Sequence, residues 1–238
     1  MDAAADPDTS LVLARYFQLK PGGYGEGDRI IGVKLSALRA LIKPYRLAGL
    51  PLVDLERGLT SPIHEHRLAV LALLADRAVR ASKPRTTDPA ELAAIHELYL
   101  RNTRYMNNWD LVDCSAPQIV GGYLVDKPRD LLFELITSAN LWERRIAIVA
   151  TQWLIGAGQT ADTYALAALV LDDPADLIHK ASGWMLREAG KRVDEEELLA
   201  FLDEHAAQMP RTMLRYAIER LPVDVRKKYL AVRRIAKR

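Results

Sequence analysis

The sequence predicts an all-α protein, an α-solenoid of stacked helical pairs, on three observations. Helix-start signals recur along the whole chain, the apolar residues between them fall at helical spacing, and strand-type alternation is almost absent. Residues 1–8, with Asp2, Asp6 and Asp8 and no basic stretch, are expected to be disordered and do not resemble a targeting signal. "GGYGEGD" (22–28) reads as a flexible glycine-rich loop with Tyr24 at its tip; its spacing does not fit a Walker loop, and no buried strand precedes it. Beyond it, proline repeatedly stands where a first helical residue is expected, at Pro62, Pro89, Pro128, Pro174, Pro210 and Pro222. Capping-box spacings pair Asp88 with Glu91, Asn140 with Glu143 and Asp194 with Glu197. Apolar residues then follow at Leu68, Leu71, Ala72 and Ala75, or at Leu132, Leu135 and Ile136, so helices of about 12 to 18 residues joined by short loops are expected.

The helices come in repeated units. "HEHRLAVLALL", "WERRIAIVATQWL", "HKASGWMLREAG" and "PRTMLRYAIERL" each set basic residues before a small residue and an apolar run, around Ala69, Ala147, Ala181 and Ala217. Their separations of 78, 34 and 36 residues, the first close to a doubled repeat, mark a HEAT-like or related solenoid. The skipped unit falls near residue 108, in "NNWDLVD". The whole chain, 1–238, is read as a single HEAT-like repeat domain ending in basic helices over 206–238.

Composition bounds the function classes. Cys114 is the single cysteine among 238 residues, which excludes a disulfide framework and fits a reducing, cytoplasmic location; no apolar run approaches the ~18 residues of a membrane span. Net charge is only +2, but ten Lys and Arg against Glu219 and Asp224 after Ala206 leave 23 basic and 29 acidic residues elsewhere. A cationic end on an otherwise acidic chain points to a polyanion, nucleic acid first, or else to a solvated helical tail.

Stacked repeats generate an extended binding face, and if the basic helices line it, that face carries Arg67, Arg144 or Arg145, Lys180, Arg187, Lys191, Arg211 and Arg215. Trp109 precedes Asp113 by four positions, and Trp142 and Trp184 precede Arg145 and Arg187 by three, so each pair shares a helix side. Trp153 reads as core, and Trp142 as a packing residue at a helix start. Trp109 and Trp184, flanked by charged and small residues, stay open between core and binding roles; Gly183 would leave the backbone beside Trp184 approachable. Asp110 and Asp113 could each simply favour the positive end of a helix, but Asp113, one turn in, lies where that benefit fades and is the better candidate for chemistry. His64 and His66, two apart on a helix, face different directions and make an improbable metal pair.

"YGEGDRIIGV" (24–33), "NNWDLVDCSA" (107–116), "NLWERRIAIVAT" (140–151), "LIHKASGWMLREAGK" (177–191) and "PRTMLRYAIERL" (210–221) together resemble the DNA alkylation repair family of AlkD-type glycosylases, over roughly residues 10 to 230. The resemblance implies HEAT-like repeats forming a C-shaped cradle for duplex DNA, and hydrolytic release of cationic alkylated bases, chiefly N3-methyladenine and N7-methylguanine, without base flipping. It implies Trp109 and Trp184 as aromatic walls beside the lesion's deoxyribose, Asp113 as the carboxylate near the anomeric carbon, Tyr24 approaching the lesion nucleotide, and Arg145 and Arg187 gripping phosphates. Lys180, Lys191, Arg211 and Arg215 complete the expected DNA-binding set. No cofactor and no metal are expected, and the partner is duplex DNA containing alkylated bases, met by a monomer away from membranes. Cys114 departs from the family, which commonly has Ser there; Leu35 and Pro44 make the second helix less regular. The alternative is a non-catalytic HEAT-like module that binds DNA structure or a protein.

Overall fold

The computed structural model describes residues 1–234, in which every regular element is helical apart from an isolated bridge between Arg29 and Ile63. The expected all-α class is what forms. Lys237 and Arg238, part of the cationic end, lie outside the described residues. The chain divides into two compact units, Met1–Tyr123 and Leu124–Arg238.

In the first unit, α1 (Pro7–Tyr16) begins where the Asp6 carboxylate accepts the N–H groups of Asp8 and Thr9. Residues 1–8, expected to be disordered, are described throughout, with a 3-10 turn (Asp2–Ala4) ahead of a helix start that a charged cap and Pro7 at the first helical position fix. α2 (Leu35–Ile42) gives way to a 3-10 turn at Lys43–Tyr45, the irregularity expected of Pro44, which has no N–H to continue the ladder. α3 (Leu52–Leu59), α4 (His64–Ala81) and α5 (Pro89–Arg101) follow, then the short α6 (Trp109–Asp113) and a π turn (Pro117–Gly121); the division between the units falls within α7 (Gly122–Leu124). Central to this unit is α4, packed against α2, α3, α5, α6 and the π turn. Its Leu71, Leu74 and Ala78 are fully buried, as are Leu59, Ile95, Leu98, Leu111 and Val112 around them.

The second unit holds α8 (Asp130–Leu135), α9 (Leu141–Gly156), α10 (Ala161–Leu169), α11 (Asp176–Arg192), α12 (Glu195–His205), α13 (Arg211–Ala217) and α14 (Val223–Ala231). Here α11 is central, packed on α9, α10, α12 and α13. Leu186, Leu198, Phe201, Leu202, Met213 and Leu214 form a continuous core with Tyr229 of α14. α4, α5, α9 and α11 reach the expected length, with 18, 13, 16 and 17 residues; the others are shorter.

Three helix starts share one hydrogen-bond frame. Ser61 Oγ accepts the Ile63 N–H at 3.2 Å, and Arg67 reaches back to donate to the Ser61 carbonyl at 2.7 Å. Ser138 Oγ accepts the Asn140 N–H at 3.0 Å, and Arg144 donates to the Ser138 carbonyl at 2.9 Å. Asp173 Oδ1 accepts the Ala175 N–H at 2.8 Å, and His179 Nε2 lies 2.6 Å from the Asp173 carbonyl. Each frame pairs a polar side chain with the amide two residues on and its carbonyl with the basic side chain six residues on, at spacings of 77 and 35. The prolines accordingly stand earlier than expected. Only Pro89 of the expected set is a first helical residue; Pro62 and Pro174 sit inside these turns, two residues before the helix, because proline disfavours helical geometry in the residue it follows.

Candidate functional site

The stretch "NNWDLVD" builds α6, and its residues divide the labour. Asn107 Oδ1 accepts from Arg67 Nη2 at 2.9 Å, while Asn108, fully buried, caps the helix by accepting the Trp109 N–H at 2.9 Å. The half-buried Trp109 indole leans on α1 and the residue that closes it, edge-on to Tyr16 with ring centroids 5.5 Å apart and tilted against Phe17 at 5.4 Å. Asp110 turns to His64 on α4. Asp113, half-buried, ends the helix one turn below Trp109. The helix stops there for two local reasons. Ser115 Oγ donates back to the Leu111 carbonyl at 2.5 Å, and Pro117 cannot donate to the carbonyl of Asp113, so the chain widens into the π turn.

Behind α6 lies a buried charge network that sequence reasoning missed. His64 is gripped on both ring nitrogens, Nδ1 2.8 Å from Asp28 Oδ2 and Nε2 2.8 Å from Asp110 Oδ2. Arg67 Nη2 donates to the other Asp28 oxygen at 2.6 Å. Asp28 is 1 % exposed and His64 2 % in their side chains. Burial opposes the charge on His64, but hydrogen bonds to Asp110 and Asp28 outweigh it and push its pKa up to about 9. For Asp28 burial raises the pKa, and the bonds from His64 and Arg67 overcome it, leaving the carboxyl below its usual range. One residue along, the Glu65 carboxylate accepts the N–H groups of Ile31, Gly32 and Val33 at 2.7 to 3.2 Å. "HEHR" and "GEGDRIIGV" thus lock together, and the glycine-rich segment is a run of turns rather than a flexible loop, with Tyr24 Oη donating to the Tyr16 carbonyl at 3.1 Å. These partners stand 36 and 46 residues apart, so no local spacing could announce them.

A largely apolar cavity of about 330 Å³ opens among Tyr16, Phe17, Val33, Leu35, His64 and Trp109. Cys114 borders it; burial first, then the charges of Asp110 and Asp113, raise its thiol pKa, so it is no thiolate at neutral pH. Among the described residues no group of three His, Cys, Asp or Glu is placed to hold a metal.

In the second unit Trp184 is half-buried on α11. Gly183 beside it serves packing rather than access: a Cβ there would lie 2.4 Å from the Met213 carbonyl oxygen of α13. Trp142 is buried as expected, whereas Trp153 is half-buried, short of the core place expected of it.

A family model for DNA alkylation repair enzyme matches residues 1–221. The chain belongs to the DNA alkylation repair enzyme family. A solved structure, a predicted DNA alkylation repair enzyme from Enterococcus faecalis, matches with a TM-score of 0.68 at 16 % identity, over 92 % of this chain and 97 % of that one; at such identity the likeness speaks for the fold. No curated protein matches the chain. No helix among the described residues is long and apolar enough to cross a membrane.

Within this family member, Trp109, Asp113, Tyr24 and Arg67 belong to the first unit, and Trp184 with the other basic candidates to the second. Those basic residues differ in how free they are. Arg145 is 5 % exposed and donates to the Leu177 carbonyl at 2.6 Å, so it braces α9 against α11 instead of offering its guanidinium at a surface. Arg211 donates to the Leu230 and Val232 carbonyls, closing α14. Arg67 and Arg144 are spent on their own helix starts and on Asp28 and Asp173, and so are not wall residues. Arg187 pairs with Glu188 and Glu219, and Lys180 with Asp176 at 2.9 Å. Lys191 and Arg215 are exposed.

Proposed function

We propose that this protein is a DNA glycosylase that hydrolyses the N-glycosidic bond of cationic alkylated purines, N3-methyladenine and N7-methylguanine, in duplex DNA without flipping the base. Membership of the DNA alkylation repair enzyme family implies DNA as its partner. The observation that carries the finer reading is α6 itself. It sets an indole and a carboxylate one turn apart on one side of a helix whose start is held by Asn107, Asn108 and Asp110.

That pairing suits the chemistry. A purine alkylated at N3 or N7 already carries positive charge and departs without a general acid, so the task is to stabilise the oxocarbenium-like sugar left behind and to direct water to it. Asp113 supplies a negative charge for the developing cation and an acceptor for the attacking water. Trp109 offers an indole face to that cation, worth about 0.5 to 2 kcal/mol, and Trp184 is the aromatic contact that the second unit makes with the DNA. Lys180, Arg187, Lys191 and Arg215 supply phosphate contacts, and Tyr24 meets the lesion nucleotide.

Incubating methylated duplex DNA with the wild type and Asp113→Asn, then quantifying free 7-methylguanine and 3-methyladenine by chromatography, tests the reading. Asp113→Asn should slow release roughly 10²- to 10³-fold with duplex affinity retained. A wild type that frees neither base, or removes hypoxanthine as fast as 7-methylguanine, refutes it. Full function in Asp113→Asn would instead favour a non-catalytic DNA-binding module.

A further inference from the structure

We propose that His64 is a positioning residue of this site: bracketed by Asp28 and Asp110, it ties the start of α6 to the glycine-rich segment and so holds Trp109 and Asp113 in place. This rests on the glycosylase reading for its rate consequences, but not for its structural ones.

The geometry demands a charged ring. A neutral imidazole has one N–H and one lone pair, so it can donate to only one of two carboxylates; both nitrogens lie 2.8 Å from a carboxylate oxygen, and only the imidazolium donates to both. The two anchors are not equally secure. Asp28 keeps Arg67 if His64 is lost, whereas among the described residues no other cation is bonded to Asp110, and its second oxygen, Oδ1, is buried without a hydrogen-bond partner there. Losing the His64 charge therefore strands a carboxylate in the first turn of a five-residue helix. Such a helix has little more than one turn of ladder with which to resist. Trp109 precedes Asp110 directly and Asp113 follows within the same turn, so a shift of Asp110 moves both. The other charged groups facing His64 are fixed elsewhere or set back: Arg67 on Asp28, Glu65 on the amides of 31–33, and Arg39 across the shared cavity. Phe17 covers the ring, with the two ring centroids 5.0 Å apart.

The test compares wild type, Asp113→Asn, His64→Gln, Asp110→Asn and the double variant His64→Gln with Asp110→Asn. Single-turnover 7-methylguanine release and duplex affinity are measured between pH 6 and 9.5, and hydrogen exchange is followed by mass spectrometry. His64→Gln should release base roughly ten- to a hundredfold more slowly at unchanged affinity. It should also lose the alkaline fall in rate that the wild type shows as its imidazolium deprotonates. The double variant, which removes the stranded charge, should recover part of the rate, and amides of 109–116 should exchange faster in His64→Gln while those of α11 do not. Wild-type rate in His64→Gln beside an inactive Asp113→Asn overturns the proposal. If the wild type releases no base, the glycosylase reading fails instead, and exchange alone decides: protection of 109–116 unchanged by His64→Gln overturns the positioning role. Should His64→Gln not fold, the wild type decides: a release rate and a protection of 109–116 that stay level between pH 6 and 9.5 overturn the positioning role.

Discussion

At the scale of single residues, the site depends on buried charges that satisfy one another, and this makes stability depend on pH in a defined direction. The folded-state pKa of His64, about 9, lies above its ordinary 6.5, so its contribution is complete below pH 6.5 and is lost as pH rises through about 9. Asp28 is shifted down, so its contribution is complete above the usual carboxylate range and is lost as pH falls below it. Urea midpoints should therefore decline from pH 6.5 to 9, and His64→Gln should flatten that limb; a wild-type curve level across it would contradict the network. Glu65 offers a second check. Glu65→Ala leaves three backbone N–H groups of 31–33 without their acceptor and should cost about 3 kcal/mol in chemical denaturation, with the loss of protection centred on residues 28–33. At this scale the sequence was half legible. Trp109 and Asp113 stand out because four positions in one helix suffice to relate them, whereas His64, Asp28 and Glu65 act across 32 to 46 residues, and only the fold brings them together.

Among elements, helix starts were readable but their registers were not. Proline, Ser and Asp announce a beginning within two residues, yet whether proline is the first helical residue or part of the preceding turn depends on which amide the neighbouring side chain takes. Asn140 and Asp194 show the same displacement: each accepts the N–H two residues on, while Glu143 and Glu197 are taken by Ser138 and Thr160 instead of closing a capping box. The recurring frame also explains why basic residues open so many helices, since Arg67 and Arg144 are caps for carbonyls. Arg144→Ala should accordingly destabilise the protein by about 1 to 3 kcal/mol, freeing Asp173 as well as the Ser138 carbonyl, and leave DNA affinity per folded molecule unchanged. Gly183→Ala belongs at this scale too. Its methyl would press on the Met213 carbonyl and on Tyr216 Cβ, 2.6 Å away, so α11 and α13 must part, at about 1 to 3 kcal/mol measured by thermal or urea unfolding.

For the whole molecule, the all-helical class was legible because caps and apolar spacing are local signals repeated many times, and the fold likeness at 16 % identity shows how little side-chain identity that architecture needs. Charge was less legible: a count of Lys and Arg cannot tell a cation facing solvent from one facing a carbonyl. The structure separates them, and the separation can be measured as salt dependence. A side chain that neutralises a DNA phosphate adds roughly 0.9 to the slope of log affinity against log salt. Lys191 and Arg215 are exposed, so Lys191→Ala and Arg215→Ala should each weaken duplex binding and lower that slope by about one, with folding intact. Arg145 and Arg211 hold backbone carbonyls, so their alanine variants should lower the unfolding midpoint and leave the slope of the folded fraction untouched. If the slope instead drops for Arg145→Ala and not for Arg215→Ala, DNA must draw the buried guanidinium outward, and the surface assigned to the phosphates would have to be redrawn around α9.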